Sequence, residues 1–384
     1  MEHGFVKVAA VTPKIKVADP AYNAQAVCGE LQKIYEKDAK IIVFPELCLT
    51  GYTCNDLFLQ ERLLEEAKEA LQTVTRATEG HDALVFVGLP LERDGRLYNV
   101  AAVLQDGEIL GFIPKTNIPT YGEFYEGRHF AKGNAEVAGF YLDEEEIPFG
   151  TNLLFTCTNV KGLTVGCEIC EDLWVANPPS TNHALMGATV IVNLSASNET
   201  VGKDAYREML VKSASARLLC AYIYASAGEG ESTQDLVFGG HNLIVENGSV
   251  LVQSKRFAGE TIIGDIDVHR MLSERRRMGT FGEEPALAYL VVPFELHKTE
   301  TKLDRQFGCT PFVPSDEKMR NHRCEEILSI QAYGLKKRYE HTEYNRRCRA
   351  CFTKHLSCSE NVWKALALYV YLLVASCLLL IFNK

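Results

Sequence analysis

Ile41-Ile42-Val43-Phe44-Pro45-Glu46 is a block of consecutive large apolar residues closed by a proline and a carboxylate. So short and uniform a run reads as a strand buried on both faces. Working outward, Ala21 to Lys37 carries helical spacing at Ala24, Val27, Leu31 and Ile34, and Phe5 to Val11 alternates like a strand before Pro13. Downstream, Leu57 to Thr78 has the pattern of a long amphipathic helix, and Ala83 to Gly88 that of another strand. The order strand, helix, strand, helix, strand predicts an α/β layered fold.

The remaining chain adds hairpins. Leu97 to Leu104 and Glu108 to Pro114 flank Gln105-Asp106-Gly107, an Asp-Gly turn. Asn152 to Thr158 pairs with Gly162 to Gly166, and His241 to Val252 turns at Asn247-Gly248. A helix closes over His183 to Gly187, Thr189 to Leu194 is a buried strand, Tyr206 to Leu219 a helix and Ala221 to Ala225 a strand. Thr261 to Val268 is expected to be the last strand. This mixture implies a pair of mixed sheets with helices outside. Residues 116 to 133 are polar, aromatic and proline-broken, which suggests an ordered loop over a site.

The chain has 384 residues, 47% hydrophobic and 23% charged, and a net charge of −10. That charge disfavours a general nucleic-acid surface. Its 13 cysteines follow no framework spacing, and Met1 to Ala10 lacks a basic segment followed by an apolar core. Free thiols in a reducing, cytoplasmic compartment are the expectation. No Gly-x-Gly-x-x-Gly or Walker-type phosphate loop occurs.

The chemistry gathers at predicted strand ends: Glu46, Lys115, and Cys170 in Gly166-Cys167-Glu168-Ile169-Cys170-Glu171-Asp172-Leu173-Trp174. Strand ends on one sheet edge converge, and sites are built there. A thiol, a carboxylate and an ammonium suffice for nucleophilic acyl transfer. The carboxylate takes the thiol proton and returns one to a leaving amine, while the ammonium stabilises the oxyanion and favours the thiolate. No histidine sits at a comparable strand end. Taken singly, each residue is more often structural: a core cysteine, a turn glutamate, a surface lysine. Their coincidence at the ends of separate strands favours a site. Cys167 and Cys170 also form a Cys-x-x-Cys, as do Cys348 and Cys351. These pairs lie on segments of different character, which disfavours a shared metal or redox centre, and no metal site is expected.

Phe44-Pro45-Glu46, Pro114-Lys115 and Cys170-Glu171-Asp172 resemble the Glu–Lys–Cys signature of the nitrilase (carbon–nitrogen hydrolase) superfamily, in order, across roughly residues 4 to 270. Longer stretches are similar to the glutaminase domain of glutamine-dependent NAD(+) synthetases: Glu46-Leu-Cys-Leu-Thr-Gly-Tyr-Thr-Cys-Asn-Asp-Leu-Phe58, Lys115-Thr-Asn-Ile-Pro-Thr-Tyr-Gly-Glu-Phe-Tyr-Glu-Gly-Arg128 and Asn193-Leu-Ser-Ala-Ser197. The resemblance implies an α-β-β-α sandwich of two mixed sheets with outer helices. It implies that Cys170 attacks the glutamine side-chain amide, that Glu46 is general base and acid, and that Lys115 stabilises the tetrahedral intermediate. Glu123 matches a second glutamate near this site, and the Glu171 backbone amide completes the oxyanion hole. Tyr52, Tyr121, Glu171 and Ser197 match positions that hold the amino-acid end of glutamine. The glutaminase reaction would need no cofactor. The family also suggests a homo-oligomer. A stand-alone amidase or nitrilase of other specificity, and a catalytically silent scaffold, stay open as alternatives.

The expected organisation is a glutaminase domain over 1–275, a connector over 276–345 and a basic, then apolar, tail over 346–384. Pro311-Phe-Val-Pro-Ser-Asp-Glu317 and Cys324-Glu-Glu-Ile-Leu-Ser-Ile-Gln-Ala-Tyr-Gly-Leu335 resemble the family's connector, and Glu317 to Tyr339 is partly helical in pattern. The ATP-using domain's Ser-Gly-Gly-x-Asp-Ser does not occur, so ATP and magnesium would act only through a synthetase domain supplied elsewhere, and the ammonia acceptor lies outside this sequence. Ala365 to Phe382 is close to the minimum length of a membrane helix. We read it as the product of a truncation or frame shift rather than an anchor. The full chain and a chain ending at His341 are therefore expected to partition identically between soluble and membrane fractions. Membrane retention of the full chain alone would establish the anchor.

Overall fold

The computed structural model describes residues 3–142, 144–282, 285–297, 299–307, 313–314 and 316–341. The expected basic patch and apolar tail lie outside the described residues. The chain divides into two units, Met1–Arg305 and a second from Gln306 onward. The first contains β1 (Phe5–Ala10), α1 (Pro20–Tyr35), β2 (Ile41–Val43), α2 (Glu61–Arg76), β3 (Leu84–Arg93), β4 (Arg96–Gln105) and β5 (Glu108–Pro114). Next come β6 (Ala138–Leu142), β7 (Glu145–Phe149), β8 (Leu153–Cys157), β9 (Thr164–Ile169), α3 (Pro179–Leu185), β10 (Val190–Ser195), α4 (Lys203–Leu218) and β11 (Ala221–Ser226). It closes with β12 (Leu243–Glu246), β13 (Ser249–Gln253), β14 (Ile262–Asp267), α5 (Val268–Arg277) and β15 (Leu290–Phe294). The described part of the second unit includes α6 (Glu317–His341).

Two mixed sheets result, ordered β14-β1-β2-β3-β4-β5-β7-β6 and β13-β12-β11-β10-β9-β8-β15. Each has parallel central strands, β1-β2-β3 and β9-β10-β11, flanked by antiparallel partners. Alternation within β2 shows how the layers form. Ile41 and Val43 join the core shared with Phe155, Val165 and Val192 of the other sheet. Ile42 and Phe44 pack outward with Val27 and Leu31 of α1 and Leu71 and Val74 of α2. Both faces of the strand are dry, which is why its sequence is unbroken apolar. Helices α3 and α4 cover the second sheet through Ala184, Val211 and Leu218. This is the α-β-β-α sandwich.

The structure departs from expectation at the sheet edges. Thr261 to Val268 is not the last strand, because β15 pairs parallel with β8. Pro293 hid it from sequence reading, but proline is tolerated on an edge strand. After β15 the chain stays packed within the first unit up to Arg305: the His297 amide donates to Asp82 at 2.6 Å, and Arg305 makes a bidentate pair with buried Glu246 at 2.9 and 3.0 Å. The hairpin β6–β7, in acidic sequence, was also unforeseen. Helix α2 begins only at Glu61, because residues 52–59 form 3₁₀ turns broken at Asn55, whose φ is 49°.

Between the sheets, Phe86 meets Phe155 edge-to-face at 6.1 Å, both rings fully buried. Phe155→Ala should lower unfolding stability by about 3–5 kcal/mol in urea titration, through lost burial and a cavity. Leu59→Ala, at a residue 63% exposed, should change it by less than about 0.5 kcal/mol.

Candidate active site

Four strand ends meet under one cavity: Glu46 follows β2, Lys115 follows β5, Cys170 follows β9, and residues 193–197 run out of β10. The Lys115 amide donates to the Asn99 carbonyl at 2.8 Å, and the Asn99 side chain donates to Glu46 Oε1 at 2.6 Å. One β4 residue therefore spaces base and ammonium. Glu46 Oε1 also accepts from Lys115 Nζ at 2.6 Å, while Oε2 accepts from the Ala196 amide at 2.9 Å.

The second carboxylate against Lys115 is Glu126, while Glu123, read from the sequence as a second glutamate near the site, lines the cavity. Lys115 Nζ donates to both Glu126 oxygens, at 2.7 and 2.8 Å, and Tyr52 Oη donates to the same carboxylate at 2.8 Å. The short helical turn Glu126–Arg128 directs Glu126 inward, whereas Glu123, on the exposed side of the loop, accepts from Asn198 Nδ2 at 2.8 Å. Both glutamates lie in the quoted Lys115–Arg128 stretch, and their side chains are chemically identical. Only the loop's path distinguishes them.

The electrostatics follow from burial. Burial pulls the Lys115 ammonium down, but Glu126 and Glu46 outweigh it and hold the group well above its ordinary value. Burial pushes Glu126 up to about 7, opposed by Lys115 and reinforced by Glu46. Burial and then Glu46 drive the Cys170 thiol upward, while Lys115 and a hydrogen bond from Ser195 draw it back. The thiol thus lies in the field of both a carboxylate and an ammonium, the charge pattern that acyl transfer by a base-activated cysteine uses.

Cys170 has φ 45°, in the left-handed region that costs a side-chain-bearing residue roughly 1–2 kcal/mol. Its surroundings hold that turn. The Cys170 amide donates to Asn193 Oδ1 at 3.1 Å. Buried Asp172 accepts from the amides of Ile169 at 3.0 Å and Asn117 at 2.7 Å, joining the nucleophile turn to the loop after Lys115. Asp172 stood in the quoted motif without a role. Leu47, next to Glu46, is also left-handed at φ 51°. Gly88 lets that turn approach, since a Cβ there would stand 2.3 Å from the Leu47 amide nitrogen.

Above the thiol is a cavity of about 420 Å³ lined by Tyr121, Glu123, Glu126, Glu171, Ser197 and Lys203, among others. That is within the range of small-ligand sites, about 300–1,000 Å³. Tyr121 Oη donates to Glu171 Oε1 at 2.7 Å. Lys203, unnoticed in the sequence, donates to Asn198 and lies 5.5 Å from the Phe124 ring centre and 5.2 Å from that of Trp174. Tyr52 lies outside this lining and buttresses Glu126 instead. Among the described residues no cluster of His, Cys, Asp and Glu is arranged to hold a metal ion.

Beneath Tyr52, buried Glu231 accepts from the Tyr52 amide at 2.9 Å, and burial pushes its carboxyl up to about 8. An acid whose folded pKa exceeds its unfolded value binds more protons when folded, so its stabilisation is present at low pH and is lost as pH rises toward 8. Glu231→Gln should therefore flatten the decline of unfolding free energy between about pH 5 and 8 relative to the parent protein, measured by urea titration at each pH.

Residues 7–276 match the carbon-nitrogen hydrolase family. A glutamine-dependent NAD(+) synthetase of Mycobacterium bovis is 41% identical over 355 residues, covering 89% of this chain and 52% of the relative. That of Aquifex aeolicus is 34% identical over 275 residues, covering 70% and 44%. The chain thus spans about half the length of these relatives. Among solved structures, a glutamine-dependent NAD(+) synthetase from Cytophaga hutchinsonii aligns with a TM-score of 0.61 at 30% identity, over 68% of this chain and 43% of that one. Saccharomyces cerevisiae Nit3, of the nitrilase superfamily, shares the fold with a TM-score of 0.57 at 17% identity, over 72% and 95%. No helix among the described residues is long and apolar enough to cross a membrane. The match over residues 7–276, with the sandwich fold and the thiol, carboxylates and ammonium at its strand ends, places this chain in the carbon–nitrogen hydrolase family.

Proposed function

We propose that the chain is a glutamine amidohydrolase that forms a thioester on Cys170 and releases ammonia. The observation that carries this is the charge layout of the cavity. Cys170 forms its floor, and Glu123, Glu171 and Lys203 give its walls both signs of charge. Such a site suits a zwitterionic amino acid whose side-chain amide reaches the thiol. Lys203 would take the α-carboxylate, and Glu171, Glu123 and Ser197 the α-amino end.

In this reading Glu46 Oε2 accepts the thiol proton, since Oε1 already takes two donors. Sγ bonds to the amide carbon, and the oxyanion forms facing the Lys115 charge and the Glu171 amide. Glu46 returns its proton to the nitrogen, the C–N bond breaks and ammonia leaves. Water then cleaves the thioester, its proton passing through Glu46 to the departing sulfur, and glutamate is released. This hydrolysis uses no cofactor.

The names of the relatives support a role in glutamine-dependent NAD(+) synthesis, with deamido-NAD as the proposed ammonia acceptor. ATP and magnesium would belong to a synthetase domain outside the matched region. The same reading makes the protein a cytoplasmic homo-oligomer.

The purified chain is expected to release glutamate from glutamine in preference to a panel of other amides and nitriles, and Cys170→Ala should lower the rate about a thousandfold or more. A thiol-reactive glutamine analogue should label Cys170, located by peptide mass spectrometry. Unchanged turnover in Cys170→Ala, or labelling elsewhere, would overturn the assignment.

A further inference from the structure

The segment Asn193-Leu194-Ser195-Ala196-Ser197 serves the site at several points. Asn193 receives the Cys170 amide, the Ala196 amide holds Glu46 Oε2, and Ser197 lines the cavity. Ser195 has no part in the steps above, yet its Oγ lies 3.3 Å from Cys170 Sγ and 2.5 Å from Tyr224 Oη. Ser195 and Tyr224 are fully buried.

The donors around the sulfur are few. Lys115 Nζ spends its hydrogen bonds on Glu46 and Glu126. Among the described residues, Ser195 is the hydrogen-bond partner of Sγ. A thiol that donates its proton to Glu46 keeps sulfur lone pairs free to accept from Ser195, and Ser195 Oγ can in turn accept from Tyr224. The hydroxyls then run in one direction, Tyr224 to Ser195 to sulfur, and on to the carboxylate.

We infer that Ser195, polarised by Tyr224, is a further catalytic residue whose hydroxyl donates to the Cys170 sulfur and holds the thiolate as its proton passes to Glu46. Ser195 keeps its own proton throughout. Charge-assisted hydrogen bonds of this kind are about twice as strong as neutral ones, so the bond strengthens as the sulfur becomes negative. The inference rests on the amidohydrolase reading for its catalytic meaning, but its test does not.

The thiol faces the carboxylates of Glu46 and Glu126, the ammonium groups of Lys115 and, from α4, Lys203, and the phenols of Tyr52, Tyr121 and Tyr224. All stay in place in a Ser195→Ala variant, so a changed thiol titration there reports the lost hydroxyl. The experiment is the rate of Cys170 alkylation by iodoacetamide in the full chain, followed by peptide mass spectrometry from about pH 6 to 10.

Ser195→Ala should slow alkylation by about tenfold at each pH in this range, equivalent to one pKa unit. Ser195→Thr, which keeps a hydroxyl, should restore the rate to within about twofold, and Tyr224→Phe should give an intermediate loss. A Ser195→Ala protein that alkylates along the parent pH curve would overturn the inference. Should that variant fail to fold, a Tyr224→Phe protein with the parent profile would overturn the relay. If the parent chain does not hydrolyse glutamine while the alkylation shifts appear, the amidohydrolase reading fails and the role of Ser195 stands.

Discussion

One buried positive charge organises the site. Lys115 is fully buried, and removing an ammonium from water costs several kcal/mol unless it is paired. Its partners come from separate parts of the chain: Glu46 after β2 and Glu126 in the loop that follows β5. Each carboxylate is itself buried, so none of the three is stable in place without the others. The cluster therefore draws strand ends and loop into one geometry. It also sets the electrostatics: burial and Glu46 raise the Glu126 carboxyl, and the Lys115 ammonium pulls it back down.

Around that charge the backbone is held in conformations it would not adopt alone. Cys170 and Leu47 both sit in the left-handed region, each beside a reacting group. Strained residues persist only where their surroundings over-determine them. Asn193, Asp172 and Asn117 do this for the nucleophile turn, and the close approach of Gly88 does it for the Glu46 turn. The sandwich beneath supplies rigidity, since β2 and β9 are buried on both faces and have no freedom to shift register.

Much of this was legible in residue order. Unbroken apolar runs such as Ile41–Phe44 mark doubly buried strands, and the Asp106-Gly107 and Asn247-Gly248 turns mark hairpins. Glu46, Lys115 and Cys170 could be picked out because each follows the end of a strand, where side chains converge. Edge elements were less legible. β6, β7 and β15 are half-exposed, so their composition is not constrained to be apolar, and a proline or acidic run carries no penalty there.

What the sequence determined by itself is the alternation of layers and the identity of the groups at the strand ends, because burial on both faces and the chemistry of a thiol beside a carboxylate are written in residue types. What only the tertiary structure decided is which of several equivalent side chains reaches the site. Glu126 rather than Glu123 meets Lys115, Tyr52 stands behind a carboxylate instead of lining the cavity, and Lys203 and Ser195 come in from distant positions. Those outcomes depend on loop path and on desolvation around one buried cation. Neither has a local signature, since a glutamate or serine reads the same whether its chain turns it inward or out.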